Sequence, residues 1–375
     1  MKILCVIDHF GSGGAQRQIV SLAIGLIARN YEVEFFNYYP EVTFFRHEVE
    51  KAGIAVHDCP KSTKGFSLKV LLALKNLIKT NRYDVALAFL DTPSIYLLLA
   101  GLGSKTKLIV SDRNSFLRHH PFKLAIKRQL YNLADYVVTN SFDQREWLTK
   151  YARLPCKKVV TIYNGFNPAR FSFSPSFPLD VKCLKILGIG RIHEQKNIEN
   201  LIYGLDLFYE KHNWLPTLSW VGISDSTEYK EKMYQLLDNK PHIKNIWSWL
   251  GQRNDIPKLL ADHDTLILPS RYEGLPNVVC EAMLSGKPLL VSNVCDNPYL
   301  VPDGIRGFLF NPNSPQSISS AIERLLAMSP DQWAIMCTTN RKYAIENLSI
   351  DKMVSAYERL FKDFSKKNSL PVNHH

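Results

Sequence analysis

What most limits the fold of this chain is a strand-then-helix alternation that runs from Lys2 to Tyr163, pauses, and restarts at Cys183. The run Lys2–Asp8 is short and apolar, with a glycine turn behind it (Gly11-Ser12-Gly13-Gly14) and then a helical period from Gln16 to Ala28. Tyr31–Asn37 reads as a second strand. Ser67–Lys79 carries Leu68, Leu71, Leu72, Leu74 and Leu77 on one helical side. Asp84–Phe89, Lys107–Val110, Tyr136–Thr139 and Val159–Tyr163 read as further strands. Short apolar strands separated by helices are buried on both faces, so they form a parallel, doubly wound sheet. The stretch Asn167–Asp180 is rich in Pro and has no helical period, which reads as a linker. The alternation then resumes with strands at Leu184–Ile189, Thr217–Val221, Thr265–Leu268 and Pro288–Ser292, and it ends in a helix over Asp351–Phe364. The expectation is α/β architecture: a domain over residues 1–166, a linker over 167–182, a second domain over 183–350, and a helix with a loose tail over 351–375 packing back towards the first domain. Ligands of such sheets sit beyond the strand carboxyl ends, so two of them facing each other predict a central cleft as the site.

The bulk numbers agree with two domains. A chain of 375 residues at 46% hydrophobic can build two cores. No repeat period and no low-complexity segment stands out. No uncharged apolar run is long enough to span a bilayer, and MKILCVIDHFGSGG lacks the pattern of an export signal. The seven cysteines are scattered singly, with no C-x-x-C pair and no zinc spacing. A reducing, cytoplasmic setting is therefore expected.

Three stretches place chemistry at strand ends. The first is SRYEGLPNVVCEA, residues 270–282, which follows an apolar strand and opens a helix near Pro276. A helix N-terminus offers free N–H groups and about half a positive charge, which suits a diphosphate. Glu273 and Glu281 flank it; phosphate repels carboxylates, so they fit hydroxyl groups better, although acids near helix starts are also common as plain surface charge. The second stretch is GIGRIHEQKN, residues 188–197, where Arg191 and Lys196 stand on a loop between strand and helix and suit phosphate oxygens. It lacks the last glycine of a dinucleotide fingerprint, because His193 stands there. The third is the turn with Gly11, Gly13 and Gly14, where backbone can approach a ligand closely; Ala15-Gln16 rules out a P-loop. Asp262-His263-Asp264 has the D-x-D form of a metal site, but it precedes a buried strand instead of ending one, and no metal is expected.

GGAQ near the start, NGFNPARF from Asn164, GRIHEQKN from Gly190 and YEGLPNVVCEAM from Tyr272 together resemble the retaining glycosyltransferases of family 4, whose fold is GT-B, with Glu273 and Glu281 meeting the E-x7-E spacing. The resemblance spans residues 1 to about 365. It implies a nucleotide-sugar donor, UDP-sugar by preference, as substrate, with no cofactor and no metal. It implies that Arg191 and Lys196 clamp the diphosphate, that Glu273 holds donor-sugar hydroxyls and Glu281 the ribose. It also implies that backbone around Gly274, Leu275, Pro276 and Asn277 faces sugar and phosphate, that Gly13 and Gly14 approach the diphosphate, and that Gly251 and Arg253 lie by the base. Many relatives carry a His where this chain reads Ser111-Asp112-Arg113-Asn114, so Arg113 or Asn114 is the candidate for acceptor contact or positioning.

The net charge of +11 is uneven: residues 1–165 hold 23 Lys and Arg against 13 Asp and Glu. Two stretches there have no acid. Cys59–Tyr83 contains Lys61, Lys64, Lys69, Lys75, Lys79 and Arg82; Arg113–Ala134 contains Arg113, Arg118, Lys123, Lys127 and Arg128 among apolar residues. Such faces suit an anionic membrane surface, and solvated helix faces are the alternative. No nucleic-acid signature is present. The expected acceptor is a glycan, polyprenyl-diphosphate-linked, used in polysaccharide, O-antigen or capsule synthesis at the cytoplasmic face of a membrane. Two other activities fit the same scaffold: a sugar-nucleotide epimerase, and a binding protein for nucleotide-sugar or glycan without turnover.

Overall fold

The computed structural model describes residues 1–62, 65–113, 128–173, 175, 177–178 and 180–368. The chain divides into two compact units, Met1–Gly165 with Ile350–His375, and Phe166–Ser349.

The first unit holds a parallel sheet of β1 (Lys2–Ile7), β2 (Glu32–Asn37), β3 (Ala55–Asp58), β4 (Val85–Phe89), β5 (Lys107–Asp112), β6 (Tyr136–Thr139) and β7 (Val159–Thr161). Its order is β3-β2-β1-β4-β5-β6-β7. Helices α1 (Gly14–Ile27), α2 (Arg46–Lys51), α3 (Leu68–Asn81), α4 (Asp91–Ala100) and α5 (Phe142–Lys150) connect the strands. The side-chain alternation of β1 explains why its sequence is apolar throughout. Ile3, Cys5 and Ile7 enter one core with residues of α1, whereas Leu4 and Val6 enter a second core with residues of α3 and α4.

The second unit repeats the plan with β8 (Lys185–Ile189), β9 (Thr217–Val221), β10 (Trp247–Gly251), β11 (Thr265–Leu268), β12 (Leu289–Ser292) and β13 (Phe308–Phe310), all parallel in the order β10-β9-β8-β11-β12-β13. Helices α6 (Ile198–His212), α7 (Thr227–Asp238), α8 (Pro241–Lys244), α9 (Ile256–Asp262), α10 (Asn277–Leu284), α11 (Asn297–Leu300), α12 (Pro315–Leu326) and α13 (Pro330–Leu348) complete it. In both sheets the strand order reverses beside the first strand, between β1 and β4 and between β8 and β11. Such reversals leave a crevice at the carboxyl edge.

One stretch read from composition behaves differently in the fold. Asn167–Lys182 is not a free connector: it lies within the second unit, where Arg341 Nη1 donates to the Phe171 carbonyl at 3.0 Å and Phe177 packs edge-on against Trp333 with ring centroids 5.5 Å apart. The last helix, α14 (Ile350–Asn368), belongs to the first unit. Met353, Val354, Tyr357, Leu360, Phe361 and Phe364 recur at helical spacing and are buried in the core that α1 also lines. Gly25 makes the close approach possible, because a Cβ there would fall 2.5 Å from Val354 Cγ2. Arg29 on the same side forms ion pairs with Asp351 and Glu358. The tail after Asn368 lies outside the described residues.

The burial of α14 is large enough to test. Phe361→Ala removes a fully buried ring and should cost the first unit about 3–5 kcal/mol, read as a lower urea midpoint. A change below about 1 kcal/mol would mean that the helix is an appendage.

Candidate functional site

The second unit builds its site at the β8/β11 reversal, from the loops that leave those two strands. The β8 loop begins at Gly190. A Cβ on Gly190 would lie 2.8 Å from Lys196 Cε and 2.9 Å from Cδ, so the missing side chain is the space through which the Lys196 stem runs. Behind it, Gly222 adopts φ +142°, and a Cβ there would fall 2.1 Å from the Gly190 carbonyl oxygen. Gly190 N donates to the Val221 carbonyl and Gly222 N to the Gly251 carbonyl, both at 2.8 Å. Three strand ends are thus joined through glycines, and only Gly fits Gly222 without strain.

Asn197 locks this loop to its neighbour. It sits in the left-handed region (φ +55°) that Asn tolerates, is fully buried, and donates through Nδ2 to the Pro269 carbonyl at 3.0 Å and the Pro312 carbonyl at 2.7 Å. Gln195 Nε2 donates to the Tyr272 carbonyl at 2.9 Å, and Arg271 N donates back to the Gln195 carbonyl at 2.8 Å. The β8 and β11 loops are therefore one rigid piece. On it, Lys196 Nζ meets Glu273 Oε1 at 2.5 Å, with side chains 14% and 9% exposed. Removing one partner from so enclosed a pair strands the other charge.

Glu273 is followed by a loop with Leu275 and Pro276 buried and Gly274 and Asn277 partly exposed, and then by α10. Pro276 is the N-cap, and no side chain caps the helix. Its opening amides lie ahead of the first intrahelical acceptor, so this end retains its partial positive charge. Glu281 lies on the second turn of α10, partly buried, with no hydrogen-bond or ion-pair partner for its carboxylate among the described residues. Burial pushes its pKa up from 4.5 to about 7, and the nearby Arg170 pulls weakly the other way.

Arg191 is not at the Lys196–Glu273 pair; its guanidinium is exposed and ion-paired with Asp225 on the loop after β9. Gly251 closes β10 at φ +63° after a register shift, and Arg253 forks onto Asp255 with Nε–Oδ1 2.8 Å and Nη2–Oδ2 2.6 Å. In the first unit Gly13 caps α1 without a side-chain hydrogen bond, and a Cβ on it would meet Gln16 Oε1 at 2.2 Å; Gly14 opens the helix. Asn114 lies outside the described residues. Arg113 is turned into its own unit: its guanidinium stands 3.8 Å from the Phe89 ring centroid, Nε donates to Ser111 Oγ at 2.9 Å, and Nη1 donates to Asn164 Oδ1. Burial holds its pKa below the usual arginine value. Asp262-His263-Asp264 precedes β11, where Asp264 Oδ2 accepts the Lys185 N–H at 2.8 Å and His263 Nδ1 meets the Leu259 carbonyl at 2.8 Å.

The acid-free stretch 113–134 needs correcting as a basic face. Arg128 is 1% exposed and ion-paired with Asp112 and Asp91, so it cannot meet a surface; Arg113 is partly exposed, with its guanidinium held by Ser111 and Asn164. Arg118, Lys123 and Lys127 lie outside the described residues. Sequence reasoning also missed Asp225, Asn197 and Gln195. Asn between a turn and a helix was a usable signal for a left-handed residue; nothing local marks Asp225, which is 34 positions from Arg191.

Residues 12–170 match the family described as Glycosyltransferase Family 4, and residues 184–328 match Glycosyl transferases group 1. The chain is 26% identical over 314 residues to the UDP-Gal:alpha-D-GlcNAc-diphosphoundecaprenol alpha-1,3-galactosyltransferase of Escherichia coli, covering 79% of each protein. It is 25% identical over 290 residues to a GalNAc-alpha-(1->4)-GalNAc-alpha-(1->3)-diNAcBac-PP-undecaprenol alpha-1,4-N-acetyl-D-galactosaminyltransferase of Campylobacter jejuni, covering 76% of this chain and 77% of that one. Among solved structures, HepE of Anabaena in complex with UDP superposes with a TM-score of 0.82 at 20% identity, over 97% of this chain and 100% of that one. The fold is GT-B.

Glu281 makes the stability of the second unit depend on pH. Its folded pKa is raised, so its contribution to stability is complete below the unfolded value of 4.5 and is lost as pH rises towards about 7. Glu281→Gln removes that loss. The melting temperature of the variant should exceed wild type at pH 8, by on the order of 3 °C, and the gap should shrink at pH 5. An equal gap at both pH values would contradict the burial reading.

Proposed function

We propose that this chain, which belongs to the group 1, family 4 glycosyltransferases, moves a hexose or N-acetylhexosamine from a UDP-sugar to a lipid-linked glycan acceptor, with retention at the anomeric carbon and without a metal ion. The observation that carries the reading is the Lys196–Glu273 pair, set beside an uncapped helix N-terminus at the sheet's reversal point. A diphosphate needs cations and free N–H groups; a sugar needs a carboxylate at hydroxyl distance. One rigid loop pair offers both.

In this account the diphosphate draws Lys196 from Glu273 and Arg191 from Asp225, and the opening amides of α10 complete the anion site. Glu273, released, accepts hydrogen bonds from the donor-sugar hydroxyls. Glu281, without a partner in the free protein, accepts the two ribose hydroxyls. Gly251 and Arg253 lie at the base. The positive charge of Arg191 and Lys196 stabilises the leaving diphosphate, the role a divalent ion fills elsewhere. The bond from C1 to the phosphate oxygen breaks, the acceptor oxygen bonds C1 from the same face, and its proton passes to the departing phosphate oxygen. Arg113 acts on the acceptor side by positioning: it fixes the end of β5 against Asn164.

Support for the donor and acceptor comes from the relatives. The Escherichia coli protein is named for UDP-Gal and a diphosphoundecaprenol-linked sugar, and the Campylobacter jejuni protein for an undecaprenol-linked glycan. No described helix is long and apolar enough to cross a membrane. We place the enzyme at a cytoplasmic membrane face, reached through exposed lysines of the first unit, in surface-polysaccharide or O-antigen synthesis.

Thermal titration with UDP, GDP, ADP and dTDP, with and without EDTA, tests the proposal. UDP at a hundred times its dissociation constant should stabilise the protein by about 2.7 kcal/mol, EDTA should not matter, and Arg191→Ala should lose most of the shift. No stabilisation by any diphosphate, or a strict need for a divalent ion, would contradict it.

A further inference from the structure

The first unit has a second basic site, at the opposite edge of its sheet. A cavity of about 900 Å³ opens where β1, β4 and β5 begin, between the C-terminal ends of α3 and α4 and the Phe364 ring. Its walls include Lys75, Lys79, Arg82, Lys105 and Lys107. The strand carboxyl edge, where Gly13 and Arg113 stand, is roughly 20 Å away at about 3.3 Å of rise per residue. The cavity is therefore no part of the site expected from the fold.

Of the five cations there, one is paired. Lys107 pairs with Asp135 at 3.3 Å and lies over Phe364. The side chains of Lys75, Lys79, Arg82 and Lys105 have no hydrogen-bond or ion-pair partner among the described residues. Elsewhere in the unit Lys2, Arg17, Arg29, Arg46 and Arg128 are each paired with a carboxylate. The one acid in the wall, Asp84, already accepts the Lys2 N–H at 2.7 Å. Two helix C-termini contribute about half a negative charge each, which the four cations exceed. Arg82 also holds the left-handed cap of α3 at φ +50°, a place Gly or Asn would fill with less strain.

We propose that this cavity binds a phosphoryl-bearing anion, either the headgroup of an acidic phospholipid or a free polyphosphate. Its volume exceeds that of a single phosphate, and its polar wall is lysine-rich in place of aromatic. The neighbouring surface leads to the lipid. Leu68, Leu72, Lys75 and Lys79 fall on one stripe of α3, and Leu68 and Leu72 are 63% and 50% exposed. Leu102, in the cavity wall, is also 50% exposed. Apolar residues entering an interface beside lysines at its phosphates is the chemistry of surface binding. The inference needs neither the donor nor the acceptor assigned above.

Co-sedimentation with phosphatidylcholine vesicles, with and without phosphatidylglycerol, tests the site on the full chain, alongside calorimetric titration of sodium tripolyphosphate. Wild type should bind the acidic vesicles, and Lys79→Gln with Lys105→Gln should weaken binding at least tenfold. Lys69→Gln, on the same helix but outside the cavity, should change it less than twofold, and Lys79→Arg with Lys105→Arg should retain it, which separates loss of charge from loss of fold. Binding of vesicles alone assigns the lipid headgroup; tripolyphosphate binding lost in the same double variant assigns a free anion. If neither probe binds, if the Gln pair binds like wild type, or if Lys69→Gln costs as much, the cavity is not a phosphate site. No donor or transfer is read, so failure here is separate from failure of the enzymatic assignment.

Discussion

The Lys196–Glu273 ion pair is the constraint around which the second unit's site is arranged. It forms only because Gly190 leaves space for the lysine stem, and because Asn197 and Gln195 hold the β8 and β11 loops in register. A pair this enclosed has given up most of its hydration, and it is retained without obvious benefit to stability over a packed apolar pair. A ligand that supplies negative charge to the lysine and hydroxyl groups to the carboxylate satisfies both residues separately. In the function we propose, the pair is a placeholder for the donor. Glu281 is the complementary case: a carboxylate left without a partner, whose proton affinity is raised until something polar meets it.

Much of this was legible in the chain. The strands Tyr136–Thr139, Thr217–Val221 and Thr265–Leu268 are read to the residue, because buried parallel strands are short continuous runs of apolar and β-branched residues. Ala55–Asp58 and Phe308–Phe310 were not read: one is half-exposed and the other is three residues long, so neither has a period to detect. The strand-end position of Arg191, Lys196, Glu273 and Glu281 followed from the same alternation. Their pairings did not. Whether Lys196 reaches Glu273, or Arg191 turns to Asp225, depends on distances set by the tertiary fold. Arg128 shows the same limit. Its stretch has no acid, so composition marks it as surface charge, yet its partners Asp91 and Asp112 lie earlier in the chain and draw it inside.

The two units divide the electrostatic work unequally. The second is nearly balanced in charge, with Arg191 and Lys196 on the loop that leaves β8. The first carries most of the excess, part of it buried in Arg128, and part lining a cavity at the start of its strands. The positive excess therefore cannot be treated as one diffuse field. A buried arginine contributes to the placing of β5 and α4; only uncommitted lysines can meet an anion from outside.

Whether a diphosphate takes Lys196 away from Glu273 is read by calorimetric titration of UDP into wild type, Lys196→Ala and Glu273→Gln. Loss of the lysine should weaken UDP on the order of a hundredfold. Glu273→Gln frees the lysine from a competing charge, so it should bind UDP at least as tightly as wild type while failing to transfer the sugar. Equal weakening in both variants would contradict the account and make the pair a structural brace.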